Sequence, residues 1–286
     1  QVRLGRRFRV IGYSFGRDDG SGYREPIRRG CDAFFDLRSL DNAAAAARIN
    51  QDGVDILVDM MGHTRGNRME ICALRPAPVQ VLYLGYPGTS GADFIDYIVA
   101  DRTVLPPDHA RWYSEQPVHL PETYLPTDDR QPVALRTLSR ADCGLPGDGF
   151  VFCSFNQPYK IEPVLFDIWM RLLRKVPGSV LWLRGKDPLG RENLCAAAER
   201  RGVSRERLVF GKRIPGRDAH LARHRLADLV LDTRVFNGHS TTSDALWAGV
   251  PVVTLLGGHF ASRVAASLLR AVGLPDLIAR SPSEYE

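Results

Sequence analysis

The sequence has few cysteines, no long apolar run and no secretory signal, and each of these shortages excludes a class of protein. No apolar run approaches the roughly 18 residues that a membrane span needs, and the basic start QVRLGRRFRV lacks the apolar centre of a signal peptide. The cysteines have neither metal-binding spacing nor the even number of a disulfide framework. We therefore expect a cytoplasmic protein with free thiols at Cys31, Cys72, Cys143, Cys153 and Cys195.

Several motifs for cofactors and metals are also missing. The sequence contains no GxGxxG after a strand, no P-loop, no GxSxG elbow, no His/Cys cluster and no conspicuous acidic pair. We expect no metal and no cofactor, with phosphate bound by helix ends and cations. The net charge of +5 comes from 34 Arg and 4 Lys spread among 33 acidic residues, with no basic run. This pattern predicts no nucleic-acid partner.

What the sequence does have is enough apolar residues for a core and enough length for two domains. It has 286 residues, of which 44% are apolar. From Val151 onward, short buried strands alternate with helical patterns, one of which places apolar side chains at helical spacing between Ile161 and Leu172. This alternation predicts βαβ units on a doubly wound parallel sheet. The strand segments are VFCSF, SVLWLRG, RLVFG, LADLVLDT and PVVTLL.

The first part of the chain has the same α/β character. Its predicted strands are FRVIGYSF, AFFDL, DILVDM, VQVLYLG and DYIVA, and NAAAAARINQDG is a predicted helix. A segment rich in Pro, Asp and Gly at 126–148 predicts the boundary. We expect a partial first domain at 1–130, too short for a complete open sheet, and a second domain at 131–286, truncated at its end. Two such domains facing a cleft would bind a ligand at the carboxyl ends of their strands.

The segment FNGHSTTSDALW, from Phe236 to Trp247, follows one strand and opens a helix. The first amides of a helix bind phosphate readily, and Gly238 would let the backbone approach. The hydroxyls after it add donors, His239 can donate to a phosphate or sugar oxygen, and Asp244 can accept from a ribose diol. The alternative is an ordinary helix capped by Ser and Thr.

Three further segments follow strands. In CSFNQPYKIEP, Lys160 at a helix start suits a diphosphate and Gln157 suits a base or phosphate, unless Lys160 is simply a surface lysine. In GKRIPGRDAHLARH, Arg217 and His220 can share a helix face as a clamp on a base or pyrophosphate, or form a solvated basic face. In LGYPGTSG, the glycines can admit a sugar or merely make a turn. His63 and Arg65 are weaker candidates.

Taken together, these segments resemble the catalytic region of O-GlcNAc transferases, in a bacterial form. The resemblance rests on ALRPAPVQVLYLGYPGTSGADFIDYIVAD, FCSFNQPYKIEP, VPGSVLWLR, LADLVLDT, NGHSTTSDALWAGVPVVT and ASRVAASLL, and it covers nearly the whole chain. It implies an α/β fold of the GT-B glycosyltransferase type, with two Rossmann-like domains. It also implies an inverting, metal-independent transfer of N-acetylglucosamine from UDP-N-acetylglucosamine to Ser or Thr of acceptor proteins.

The resemblance also implies roles for particular residues. Lys160 would be the catalytic residue that stabilises the leaving diphosphate. Arg217 stands where the family often has lysine, which keeps the charge but changes the geometry. The implied nucleotide-sugar contacts are Gln157, Lys160, Pro215, Gly216, Arg217, His220, His239, Ser240, Thr241 and Asp244, with a sugar-side loop formed by Leu84, Gly85, Tyr86 and Pro87.

Two departures from the family limit what the resemblance implies. The tetratricopeptide repeats expected upstream are not in this sequence. The family's histidine and aspartate residues that lie near the acceptor hydroxyl, at the start of the first domain, are also not in this sequence. No general base is therefore assigned to this chain, and whether the chain is active by itself stays open.

Two other functions stay open at this point. A related branch uses GDP-fucose and reads more like GYPNTTG and AGTTTT, so His239 favours N-acetylglucosamine. A non-catalytic module that only binds a UDP-sugar is the other alternative.

Overall fold

The computed structural model describes residues 7–135, 138–185 and 187–286. Residues 1–6 of the predicted first domain, and residues 136 and 137 of the predicted linker, lie outside the described residues. The chain forms two compact units, one of residues 1–99 and 111–117, the other of residues 100–110 and 118–286. This division falls before the Pro-, Asp- and Gly-rich segment, because residues after 118 already pack in the second unit, where the Tyr124 amide donates to buried Asp101.

The first unit contains the α/β alternation that the sequence predicts. Strand β1 pairs with β2, and β3 pairs with β4, which pairs with β5, all in parallel. Helix α2 buries Ala45, Ala46 and Ile49 against Leu37 and Ile71. The elements are β1 (Ile11–Ser14), α1 (Arg24–Gly30), β2 (Ala33–Asp36), α2 (Asn42–Gln51), β3 (Ile56–Asp59), α3 (Met69–Ala73) and β4 (Val79–Leu82), followed by β5 (Tyr97–Asp101) and β6 (Gln116–Leu120), which cross the boundary between the units.

The second unit is a six-stranded sheet in the described residues, with helices between its strands. Every strand segment predicted from Val151 onward is confirmed. The elements are β7 (Val151–Ser154), α4 (Pro163–Lys175), β8 (Val180–Arg184), α5 (Pro188–Glu199), β9 (Leu208–Gly211), α6 (Arg217–His224), β10 (Leu229–Leu231), α7 (Ser240–Trp247), β11 (Val252–Leu255), α8 (Val264–Ala271), β12 (Ile278–Ala279) and α9 (Pro282–Tyr285).

The strand order of this sheet predicts a ligand-binding crevice at the carboxyl ends of β7 and β10. The order is β9-β8-β7-β10-β11-β12, and all five neighbouring pairs are parallel. Counted from the first strand of the unit, this is the doubly wound order 3-2-1-4-5-6, in which ligands bind where the winding direction reverses. The reversal lies between β7 and β10, so the residues that follow these two strands are at the expected ligand edge.

Successive side chains of β7 point to opposite faces of the sheet, and both faces are buried. Val151 and Cys153 pack into one apolar cluster, together with Trp182, while Phe152 packs into the other, together with Trp169. Successive side chains of a strand point to opposite faces, so a strand covered on both sides reads as a continuous apolar run. This run is the signal by which the sequence predicts the central strands.

The helix after β7 begins where its sequence dictates. Glu162 accepts hydrogen bonds from the Val164 and Leu165 amides, and Pro163 occupies the first helical position. Helix α4 ends at Lys175, shortly before Pro177 and Gly178. These local signals fix the loop between Ser154 and Pro163, which carries Lys160.

Candidate functional site

Asn156 and Asp232 join the two strands on either side of the crevice. Asn156 follows β7, Asp232 follows β10, and the Asn156 Nδ2 atom donates to Asp232 Oδ1 at 3.2 Å. Both side chains are buried, at 5% and 1% exposure. A buried polar side chain is retained at little cost only when its hydrogen bonds are made. The base of the crevice is therefore a bonded polar pair inside an apolar sheet.

The loop after β10 is closed on itself by side-chain hydrogen bonds. The Gly238 amide donates to Asp232 Oδ1 at 2.6 Å, the Thr233 hydroxyl donates to the Phe236 carbonyl, and the Asn237 side chain donates to the Thr233 carbonyl. A Cβ on Gly238 would lie 2.5 Å from Thr242 Oγ1. Glycine at this position is needed for close packing against α7, whereas the approach of its backbone to a phosphate stays a prediction.

The amino terminus of α7 has no side-chain cap. The capping position is His239, which makes no capping hydrogen bond, and the Thr241 hydroxyl donates instead to Asn156 Oδ1 at 2.7 Å. The interpretation of the Ser/Thr run as an ordinary capped helix is therefore wrong. Unpaired first-turn amides carry partial positive charge and are suited to an anion. Ser240, in this turn, is exposed.

Lys160 reaches the same loop from the other strand. It ends a 3₁₀ turn after β7, its Nζ atom donates to the Asn237 carbonyl at 2.8 Å, and it lies 4.0 Å from the centroid of the Phe236 ring. Burial lowers the pKa of Lys160 to about 8, while the negative charge of Asp232 acts in the opposite direction. The alternative of a free surface lysine is wrong, since this ammonium is half-buried. Gln157, one turn earlier, is exposed.

His239 lies on the Phe236 ring that Lys160 also contacts. The two rings are stacked, with centroids 4.9 Å apart, and His239 Nε2 donates to the Ala261 carbonyl at 3.4 Å. Burial lowers the pKa of His239 to about 4, and the positive charge of Lys160 acts in the same direction. His239 is therefore neutral at pH 7, and Nε2 carries its proton when it donates to the carbonyl.

A second group of the predicted residues meets at Asp244, one turn further along α7. Arg217 donates to both carboxylate oxygens of Asp244, with Nη1 at 2.7 Å from Oδ2, and His220 Nε2 is 3.5 Å from Oδ2. Burial alone would raise the pKa of Asp244, but the hydrogen bonds from His220 and Arg217 lower it overall. The interpretation of α6 as a solvated basic face is therefore wrong. The role of Asp244 as a ribose acceptor stays a prediction.

A small cavity lies beside these two groups. This cavity of about 10 Å³ lies under the first turn of α7, with room for about one water molecule. Pro215 and Gly216 are exposed in the loop before α6, where Gly216 has a φ of +86°. The structure thus brings Lys160 and His239 together at one end of the α7 turn, and Arg217, His220 and Asp244 together at the other. The cavity is lined by Cys153, Phe155, Asn156, His224, Val230, Thr241 and Thr242.

The predicted sugar-side loop lies in the first unit and is tightly held there. Leu84 has a positive φ of 76°, and a Cβ on Gly85 would lie 2.2 Å from the Met60 carbonyl oxygen. The Tyr86 ring packs edge-on against His63, with centroids 5.1 Å apart. Pro87 follows in the same loop. The turn therefore requires Gly85 for packing, and contact between this loop and a sugar stays a prediction.

Glu115 fastens this loop from within the first unit. Its carboxylate is 2% exposed and accepts from the Thr89 hydroxyl at 2.7 Å, the Ser90 amide at 2.5 Å and the Ser90 hydroxyl. Sequence analysis missed both Glu115 and Asp232. Asp232 had one available signal, an acid that ends an apolar strand at the ligand edge, whereas Glu115 lies in an aperiodic segment with no such signal.

None of the helices within the described ranges is long and apolar enough to cross a membrane. No group of three or more His, Cys, Asp or Glu side chains there has an arrangement that could hold a metal ion.

Comparison with known proteins identifies the family. The sequence model of glycosyl transferase family 41 matches residues 3–136 and 126–286. The chain is 41% identical over 283 residues to the probable UDP-N-acetylglucosamine–peptide N-acetylglucosaminyltransferase SEC of Arabidopsis thaliana, covering 97% of this chain and 29% of that protein. It is 30% identical to the UDP-N-acetylglucosamine–peptide N-acetylglucosaminyltransferase of Caenorhabditis elegans, covering 98% of this chain and 34% of that one. The chain thus spans about a third of the length of these relatives.

Solved structures agree with this assignment. A mutant O-GlcNAc transferase from Thermobaculum terrenum superimposes with a TM-score of 0.86 at 35% identity, covering 96% of this chain and 52% of that chain. Anabaena Alr3699/HepE in complex with UDP and glucose gives a TM-score of 0.53 at 14% identity, covering 93% of this chain and 89% of that chain, which shows a shared fold. Both units have the parallel α/β architecture of the GT-B class. The chain belongs to glycosyl transferase family 41.

Proposed function

We propose that this protein transfers N-acetylglucosamine from UDP-N-acetylglucosamine to serine or threonine hydroxyls of other proteins, with inversion at the anomeric carbon. The observation that carries the proposal is the contact of Lys160 with the loop that leads into the uncapped amino terminus of α7, at the switch point of the second sheet. A lysine and a helix amino terminus together form a site for a diphosphate. The names of the Arabidopsis and Caenorhabditis relatives supply the sugar and the acceptor class.

The chemical role of this site is to accept the charge of the leaving group. When the acceptor oxygen attacks the anomeric carbon, the bond from that carbon to the diphosphate oxygen breaks and negative charge grows on UDP. In this proposal Lys160 and the start of α7 are held in place before the reaction, Lys160 by its hydrogen bond to the Asn237 carbonyl and α7 by the bonded loop before it, so they require little reorganisation when the charge appears. His239 is neutral and its Nε2 proton is donated to the Ala261 carbonyl, so its Nδ1 atom is left as an acceptor, and donation to the ligand would require the other tautomer. In this proposal the group at Asp244 contacts the nucleoside.

The proposal includes further expectations about the whole protein. We propose that charge neutralisation by Lys160 and α7 makes a metal ion unnecessary and that no cofactor is needed. The acceptor-side domain and upstream tetratricopeptide repeats would hold the acceptor protein, and the general base would come from outside this chain. Five free cysteines support the cytoplasm as the compartment.

The first experiment separates an enzyme from a binding module. UDP is titrated into the full-length protein by calorimetry, and transfer is measured with UDP-N-acetylglucosamine and a serine-containing peptide. Binding with transfer is expected. Binding without transfer would support a module that only binds nucleotide sugars, and transfer from GDP-fucose in a donor panel would change the assigned sugar.

The second experiment tests Lys160. We expect Lys160→Ala to lower kcat by about 150-fold, since loss of one preorganised donor costs about 3 kcal/mol. Lys175→Ala is the matched control, because Lys175 is an exposed lysine at the end of α4 that pairs with Glu286. Turnover of Lys160→Ala equal to that of the control would contradict the assigned role.

A further inference from the structure

Asp232 is a buried acid at the centre of the crevice, and the proposed function gives it no role. It follows β10 and is 1% exposed. Its Oδ1 atom accepts from the Gly238 amide at 2.6 Å and from Asn156 Nδ2 at 3.2 Å, and its Oδ2 atom accepts from the Thr254 hydroxyl at 2.7 Å. These donors belong to three different parts of the sheet edge. One carboxylate therefore ties together the ends of β7, β10 and β11.

The contacts of Asp232 extend to the first turn of α7. Asn156 donates to Asp232 through its nitrogen and accepts from the Thr241 hydroxyl through its oxygen, at 2.7 Å. The amide orientation of Asn156 is thus fixed at both ends, which sets the position of Thr241. The Gly238 amide is held directly by Asp232, two residues before the helix starts. The position of the helix end that would receive the diphosphate depends on this acid.

Asp232 also has an electrostatic relation to Lys160. The donors that hold the Asp232 carboxylate are neutral groups, so its charge is not neutralised locally. Burial raises the pKa of Asp232 to about 6, while its hydrogen bonds and the charge of Lys160 oppose that shift, so it is ionised at pH 7. The same charge opposes the loss of the proton from Lys160.

Other titratable groups near this pair are few among the described residues. Arg234 on the same loop is paired with Glu162 at the start of α4. His239 is neutral at pH 7 because burial lowers its pKa to about 4. The Tyr285 hydroxyl of α9 donates to the Asp232 main-chain carbonyl, and burial raises the pKa of this tyrosine. None of these groups changes its charge between pH 7 and 9.

We propose that Asp232 is a positioning residue of the diphosphate site, which holds the start of α7 through Gly238 and Asn156 and keeps Lys160 charged through its own negative charge. The inference rests on the proposed function, because it assumes that Lys160 and α7 bind a diphosphate. Asp232 does not touch the diphosphate in this proposal. It acts through Lys160 and the start of α7, which do. The two parts of the role, geometry and charge, can be separated by substitution.

Asp232→Asn removes the charge and keeps most of the geometry. Its oxygen can accept from the Gly238 amide, and its new amide can donate to the Thr254 hydroxyl oxygen. Asn156→Ala does the reverse, since it removes the link to Thr241 and leaves the carboxylate. Asp276→Asn is the control for the loss of one negative charge, because Asp276 is exposed in the same unit.

The test is the dissociation constant of UDP for the full-length protein, measured by calorimetry from pH 7 to pH 9. In the wild type, affinity should fall above about pH 8 as Lys160 loses its proton, and Lys160→Gln should abolish that fall. In Asp232→Asn, the fall should move about one pH unit lower, so that binding at pH 8 is about fivefold weaker than in the wild type. In Asn156→Ala, binding should weaken at every pH with the midpoint unmoved.

Three results would overturn the inference. Superimposed pH curves for wild type and Asp232→Asn would show that Asp232 does not maintain the charge of Lys160. An equal displacement in Asp276→Asn would show a general effect of net charge. Wild-type affinity in Asn156→Ala would remove the geometric role. Failure of the wild type to bind UDP at any pH would instead refute the proposed function, and the inference with it.

Discussion

Gly238 is packed so tightly that a single methyl group should disturb the start of α7. A Cβ at this position would lie 2.5 Å from Thr242 Oγ1, 2.6 Å from Thr241 Oγ1 and 3.2 Å from Asn156 Oδ1. The φ angle of Gly238 is outside the left-handed region, so Gly238→Ala adds no backbone strain. The Gly238 amide would still donate to Asp232. The substitution therefore tests the packing alone.

The expected cost follows from these contacts. Thr241 and Thr242 are β-branched residues with few allowed rotamers in a helix, and Thr242 is 2% exposed, so neither can easily move aside. Overpacking of this kind costs about 1–3 kcal/mol, and loss of the hydrogen bond from Thr241 to Asn156 adds about 1 kcal/mol. We expect Gly238→Ala to lower the free energy of unfolding by about 2–4 kcal/mol. Binding of UDP would require the displaced turn to return to its wild-type shape. This costs more than about 1.4 kcal/mol, so UDP affinity should fall at least about tenfold.

The assay is denaturant unfolding of the full-length protein, followed by a UDP titration under conditions where each variant is folded. Gly258→Ala is the matched control, because no heavy atom lies within 4 Å of the added Cβ and the backbone conformation is ordinary. It should stay within about 0.5 kcal/mol of the wild type. If Gly238→Ala were as stable as this control and bound UDP as tightly as the wild type, the packing argument for α7 would be refuted.

Three further variants have defined outcomes. Glu115→Ala should destabilise the first unit by about 3 kcal/mol, because the Ser90 amide and two loop hydroxyls lose their buried acceptor. Thermal unfolding measures this loss, and an unchanged stability would show that Glu115 does not hold the loop. Tyr285→Phe should lower the free energy of unfolding by about 1–3 kcal/mol, because Trp169 Nε1 loses its acceptor. In the wild type this atom donates to the Tyr285 hydroxyl at 3.2 Å. Urea unfolding of the variant at wild-type stability would contradict the importance of this hydrogen bond. The pKa of His239 is about 4 in the folded protein and about 6.5 unfolded, so its contribution to stability is full above pH 6.5 and is lost as the pH falls toward 4. The loss of stability from pH 7 to pH 5 should therefore be about 2 kcal/mol smaller in His239→Asn than in the wild type, and equal losses would show that His239 is not buried in its neutral form.

The sequence predicts the central strands and helices of this protein because their signals are local. The apolar run around Val151 reports burial on both faces of a strand, and the Glu162-Pro163 pair reports the start of a helix. The segment after β10 shows glycine, histidine and hydroxyl side chains at a strand end, which predicts an anion site. Lys160 is found by the same reasoning, since it too follows a strand of the sheet.

The partners of these residues were not predictable in the same way. Sequence analysis treats Asp244 as a free acceptor, but in the structure it pairs with Arg217, 27 residues away. It places Lys160 at a second strand end of the same sheet, but it does not identify Asn237 and Phe236 as the residues that Lys160 contacts. Each of these pairings depends on which strands are neighbours, and apolar periodicity contains no such information.

The sequence by itself determined which segments become strands and helices, which strand ends carry cations and hydroxyls, and the family to which the chain belongs. Only the tertiary structure decided that β7 and β10 lie side by side, so that Asn156 and Asp232, 76 residues apart, share a hydrogen bond. The physical reason is that a repeating apolar pattern specifies what each segment buries, whereas strand order is set by the packing of all segments at once. Asp232 ends an apolar strand in the sequence, and the fold makes it the centre of the crevice.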